Sequence, residues 1–220
     1  MSRGVTFMDS RSKTEYHGRM DHIVTLIVPA LGPVPALFPG EEPPRCGTVC
    51  VVERKKSSTL GTVRSARPLG KTDSRPSAKL LRAATDEDLR EGEACKSFED
   101  EAMAAFAALA TKYALPMRAV RAHAFLGRNR IILWQSPQGP LPDLRAFEGE
   151  LRRKIRCPIE LREADARQTA ALLGGCGCCG RELCCAAGRF PAEEPAPPRS
   201  AALPASATGL CNCPRCCLGF

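Results

Sequence analysis

The sequence predicts an α+β protein: a small antiparallel β unit, then an α/β layer, with cysteine-rich loops at the C-terminal end. Three observations carry this. Short β-branched runs cut apart by Gly, Pro and polar turns crowd residues 23–66. A strand–strand–helix–strand alternation occupies residues 117–163. Nine of the 13 cysteines fall between Cys176 and Cys217.

The elements follow in order. Residues 1–22 are polar and read as a disordered N-terminus. IVTLIV (23–28), TVCVVE (48–53) and TLGTVRSA (59–66) read as strands, the last two joined as a hairpin through RKKSS. The Pro- and Gly-rich stretch 29–47 reads as loop, so the first unit is a small antiparallel sheet or open barrel. Thr85 followed by Asp86, Glu87 and Asp88 marks a helix start, because a side-chain oxygen caps free N–H groups and acidic residues suit the positive end of the helix dipole. Met103, Phe106, Leu109, Ala110 and Tyr113 recur at helical spacing, and Pro116 ends the pattern.

Residues 117–127 and 129–136 then read as two strands joined at Gly127–Arg128–Asn129. Residues 141–155 read as a helix with a basic RRK near its end, 157–163 as a strand and 165–173 as a short helix. Residues 191–208, rich in Pro, Ala and Ser, read as a linker between two cysteine clusters. The predicted organisation is therefore a unit over 23–190 that includes the first cluster, the linker, and a second cluster over 209–220.

Hydrophobic residues at 44% and charged residues at 25% fit a globular protein with a real core, and 5% aromatics leave that core to aliphatic side chains. The apolar run 23–38 is too short to span a bilayer and is interrupted by Pro29, Pro33 and Pro35. The first twenty residues lack the apolar centre of a signal peptide, so the expected compartment is the cytoplasm, where thiols stay reduced. The net charge of +8 is carried by the basic segments 1–82 and 117–190, with an acidic stretch at 83–116 between them. Such a balance permits contact with RNA, and equally a solvated surface.

Several patterns mimic catalytic signatures and fail on physical grounds. Gly70–Lys71–Thr72 has the end of a phosphate-binding loop, but Ser65 stands where its first glycine belongs. Gly175, Gly177 and Gly180 fit GxGxxG, with cysteines between them and no βαβ unit after them. His17, His22 and His123 have no partner residues nearby in sequence, and His123 reads as a satisfied sheet histidine. No nucleophile motif is present, and the expected protein is not an enzyme.

The informative stretches are GGCGCCGRELCC (174–185) and GLCNCPRCC (209–217). Thiolate is a soft ligand that suits zinc, Cu(I) and iron–sulfur clusters, and four thiolates close an iron–sulfur site. The glycines let a tight loop wrap a metal, so these are expected to be metal-binding loops. Cys213 and Cys216 have zinc-finger spacing. The doublets Cys178–Cys179, Cys184–Cys185 and Cys216–Cys217 differ from paired zinc knuckles. The residues themselves leave the metal open.

These motifs resemble the RicT/YaaT family, proteins with a PSP-one-type C-terminal domain. The resemblance rests on Gly174, Gly175, Gly177, Cys179, Gly180, Arg181, Leu183, Cys184 and Cys185, then Gly209, Leu210, Cys211, Cys216, Cys217 and Leu218. FPG (38–40), VVE (51–53), LGTV (60–63), LLRAATDEDL (80–89) and LPM (115–117) support it. The resemblance implies a non-catalytic regulatory subunit carrying a [4Fe–4S] cluster. It implies partners like the small helical proteins RicA and RicF, and a role in mRNA processing and turnover by RNase Y. The family-matched ligands are Cys179, Cys184, Cys185, Cys211, Cys216 and Cys217; six thiolates do not fill two four-thiolate sites, which points to ligands from partner subunits. Cys176, Cys178 and Cys213 are additional to the family pattern. The alternative reading is a zinc-stabilised RNA-binding module.

Overall fold

The computed structural model describes residues 21–175 of the chain. The expected N-terminal tail, save its last two residues, the linker 191–208, the second cluster 209–220 and all but the first two residues of the first cluster motif lie outside the described residues.

The N-terminal unit is a closed five-stranded barrel, not an open one. Its strands are β1 (Asp21–Val28), β2 (Gly32–Pro39), β3 (Val49–Arg54), β4 (Ser57–Pro68) and β5 (Ala78–Ala83), in spatial order β1-β2-β5-β3-β4. Closure removes exposed strand edges, and apolar side chains of alternate residues fill the inside: Val24, Leu26, Val28, Val34, Ala36, Val52, Val63 and Leu80. Gly61 eases the packing there, since a Cβ on it would lie 3.0 Å from Val28 Cγ2 and 3.1 Å from Leu26 Cβ.

Two barrel strands differ from the sequence expectation. The stretch 29–47, expected as loop, contains β2, paired along its whole length with β1. Its prolines at 33, 35 and 39 stand at alternate positions, so the missing N–H groups all fall on one side of the strand. On its other flank from β1, β2 meets β5 only at Ala36 and Leu37. The other strand is β5, which has a single buried alternation, Ala78 and Leu80, and gains its place from β3 and β2. The β3–β4 hairpin is as expected, tightened to a two-residue turn with Lys55 and Lys56 at φ 51° and 62°.

The second unit stacks helices on a three-stranded sheet, ordered β6-β7-β8. Helix α1 (Asp86–Lys112) starts at the expected Thr85: its hydroxyl accepts from the Asp88 N–H, and the Asp88 carboxylate accepts from the Thr85 N–H. Asp88 also pairs with Arg82, tying the end of the barrel to the helix start. Strands β6 (Met117–Ala124) and β7 (Ile131–Pro137) form the expected antiparallel hairpin, and β8 (Ile159–Glu163) runs parallel to β7 after α2 (Arg145–Ile155). Helix α2 begins four residues later than expected, beyond Pro142, which disfavours helical backbone in the residue before it. Helix α3 (Ala166–Leu173) follows with Asp165 as its cap.

Strand β7 explains its own sequence. Ile131 and Leu133 face α1 and α2, packed with Phe106, Leu109, Phe147 and Leu151. Ile132 and Trp134 face the other way, toward Val120, Phe125, Ala164 and partly buried Leu31 and Leu172. A strand buried on both faces reads as an unbroken apolar run, here IILW. Leu31 follows β1, so this second face also holds the barrel against the sheet.

Candidate functional site

Between the outside of β4 and the first half of α1 lies a cleft of about 260 Å³. Its walls are largely apolar, with Leu60 from β4, Leu89 from α1 and Leu126 from the turn after β6. Gly92 on α1 allows the approach, since a Cβ there would lie 2.6 Å from Leu60 Cδ1. At the base sit Thr59, Cys95, Glu99 and His123.

Three of these are linked in a chain, and Cys95 is anchored beside them. His123, 4% exposed on β6, has its Nε2 hydrogen-bonded at 3.1 Å to the hydroxyl of Thr59, 5% exposed on β4. Its Nδ1 lies 3.7 Å from the Glu99 carboxylate. The direction of the Thr59–His123 hydrogen bond follows the ring's tautomer, since either the hydroxyl or Nε2–H can donate. The Ala124 N–H donates to Glu99 Oε1 at 2.8 Å, and Cys95 donates its thiol proton to the Phe125 carbonyl at 3.5 Å. The chain Thr59–His123–Glu99 therefore joins the barrel, the sheet and α1.

Electrostatics follow from burial. Loss of water pushes the His123 imidazole down from its ordinary 6.5 to about 4, with nearby Arg121 and Arg130 adding to the effect. Burial pushes the Glu99 carboxyl up, opposed by the Ala124 amide. Burial also pushes the Cys95 thiol up, reinforced by Glu91 and Glu99. Near neutral pH the cleft thus offers a neutral imidazole and a protonated thiol, beside a Glu99 carboxyl that is short of solvent.

His123 behaves as the satisfied sheet histidine expected from sequence. His22 does too: its Nδ1–H donates to the Gly40 carbonyl at 2.8 Å. Gly70 is no phosphate cradle, because its N–H already donates to Asp73 at 2.8 Å. Thr59 and Glu99 were not singled out by sequence reasoning. Glu99 carried a signal: it lies four residues after Cys95 and three before Ala102, so a carboxylate sits on the buried stripe of α1.

The expected metal ligands Cys179, Cys184, Cys185, Cys211, Cys216 and Cys217 lie outside the described residues, as do Cys176, Cys178 and Cys213. Among the described residues, no group of three or more His, Cys, Asp or Glu is placed to hold a metal ion. Cys50, Cys95 and Cys157 are buried in the apolar cores, and burial pushes all three thiols up; Cys46 is exposed. Among the described residues, no helix is long and apolar enough to cross a membrane.

Comparison with known proteins bears on the same region. The PSP1 C-terminal conserved region matches residues 78–164. The match opens on β5 and closes just after β8, so it takes in one barrel strand and the α1–β8 layer. The chain is 35% identical over 113 residues to the stage 0 sporulation protein YaaT of Bacillus subtilis (strain 168), a stretch covering 50% of this chain and 40% of that protein. No solved structure matches. The chain thus carries the PSP1 C-terminal conserved region over residues 78–164 and is similar to YaaT over a stretch that spans less than half of that relative's length.

Proposed function

We propose that this protein is a non-catalytic regulatory subunit of the YaaT type that holds an iron–sulfur cluster through its C-terminal cysteines. It acts with RicA-like and RicF-like helical partners in the cytoplasm to direct mRNA processing by RNase Y. The observation that supports this most is the first cysteine motif, Gly174 to Cys185, attached to a layer that matches the PSP1 region. The name of the relative, a stage 0 sporulation protein, supports a regulatory role.

The donor set fits the cluster. Cys179, Cys184, Cys185, Cys211, Cys216 and Cys217 supply thiolate alone, the ligand iron–sulfur clusters take, and Arg181 adds positive charge beside an anionic centre. The three buried thiols among the described residues, Cys50 in the barrel and Cys95 and Cys157 in the layer, are poor competitors, because a raised thiol pKa disfavours the thiolate that binds metal. Six thiolates leave two four-thiolate sites incomplete, so partner subunits complete them.

The test is anaerobic expression of the full chain, alone and with RicA- and RicF-like partners, followed by iron, sulfide and zinc analysis and visible absorption. Iron and sulfide in matching amounts, rising when partners are present, are the expected result. Two complete clusters on the isolated chain would refute the shared ligation. Stoichiometric zinc without iron after anaerobic reconstitution would replace the proposal with a zinc-stabilised RNA-binding module.

A further inference from the structure

The cleft between the barrel and α1 has a chemistry that the cysteine loops do not explain. Glu99 lies at its base with its side chain 17% exposed. Both of its contacts, the Ala124 N–H and the more distant His123 ring, use Oε1. Among the described residues, no lysine or arginine forms an ion pair with it; Arg121, and Lys96 bound to Glu93 at 2.7 Å, act on it only from a distance. A carboxylate this far out of water, with its cations only at a distance, gains from a donor group that arrives to share its charge. The walls around it, Leu60, Leu89 and Leu126, are apolar, and Leu89 is 42% exposed at the lip. A volume of about 260 Å³ falls just below the usual 300–1,000 Å³ of drug-sized pockets, roughly the room for one ring or a short chain.

We propose that this cleft is a binding site for a small organic cation, with an amidinium, guanidinium or ammonium head on Glu99 Oε2 and an apolar body between Leu60, Leu89 and Leu126. A planar amidinium or guanidinium suits the carboxylate best, because its N–H groups reach carboxylate oxygens along their lone pairs. An anion is disfavoured by the same carboxylate, and an uncharged apolar molecule would leave it unpaired. The occupant touches β4 of the barrel and α1 of the family-matched layer together, so binding favours the docked arrangement of the two. The proposal is independent of the metal carried by the C-terminal cysteines.

The experiment titrates benzamidinium into the ¹⁵N-labelled full chain and follows amide shifts, with uncharged benzamide as the control of equal shape. Saturable shifts centred on Glu99, His123, Ala124 and Leu60 are expected, with benzamide weaker by about tenfold or more, the size of one charge-assisted hydrogen-bond pair. Glu99→Gln should bring benzamidinium down to the affinity of benzamide. Should Glu99→Gln fail to fold, Leu89→Lys at the exposed lip tests the same point, since a tethered ammonium competes for Glu99 and should weaken benzamidinium about tenfold. Equal affinity for the two probes, or shifts scattered over the acidic surface without saturation, would overturn the proposal. A short acetylated arginine peptide forms a third arm: if it binds more tightly than benzamidinium at the same amides, the cation is a partner's side chain and not a small molecule.

Discussion

His123 makes stability depend on pH in a window that the structure defines. In the folded protein its imidazole is held near 4, against 6.5 in an open chain. Between these values the unfolded chain binds a proton that the folded protein refuses, so stability falls as pH drops from 6.5 towards 4, then levels off. A difference of that size corresponds to on the order of 3 kcal/mol, of which about 2 kcal/mol is lost by pH 5. His123 is buried, so little solvent screening reduces the figure. Glu99 acts in the opposite sense, because its raised carboxyl takes up a proton as pH falls and recovers some stability. The assay is urea unfolding at intervals from pH 7.5 to 4.5, for the natural chain and for His123→Gln, which keeps a hydrogen-bonding group near Thr59. Carboxylates elsewhere titrate in both proteins and cancel in the difference. The natural chain should lose about 2 kcal/mol more than the variant between pH 7.5 and 5. Parallel curves would refute the reasoning, since they would mean that His123 titrates alike in both states.

Thr59→Val keeps shape but leaves the buried His123 Nε2 without its hydrogen-bond partner, and should cost about 1–3 kcal/mol by urea unfolding, with Thr59→Ser recovering most of it. Phe106→Ala empties the centre of the helix–sheet core, where Phe106 is fully buried edge-on to Phe147 at 5.1 Å, and should cost about 3–5 kcal/mol. Thr85→Ala removes the cap of α1 and should cost about 1 kcal/mol, visible as a lower thermal midpoint. Fragments 21–77 and 21–83 differ by β5; circular dichroism should show cooperative melting only for 21–83, because the barrel cannot close without that strand.

Local chemistry wrote much of this fold into the sequence. The cap at Thr85, the hairpin across Lys55–Lys56, the apolar run of β7 and the order of the α/β layer were all legible, since each depends on residues near one another in the chain. Strands β2 and β5 were not. Three prolines disguise β2 as loop, and its strand state depends on β1 presenting a ladder in the right register. Strand β5 carries too little alternation to announce itself, and it exists because the barrel needs a fifth member between β2 and β3.

The same division holds for function. The resemblance to the RicT/YaaT family and the candidate thiolate donors could be read from the chain alone, because cysteines and glycines at short spacing point to a ligand chemistry without reference to a distant partner. That Thr59, Glu99 and His123 meet is a product of the fold. Thr59 and His123 are 64 residues apart and lie on strands of different sheets, so no local pattern could pair them. What brings them together is the burial of apolar faces that seats α1 and β6 against the barrel. Once seated, removal of water gives an ordinary histidine and an ordinary glutamate their unusual proton affinities.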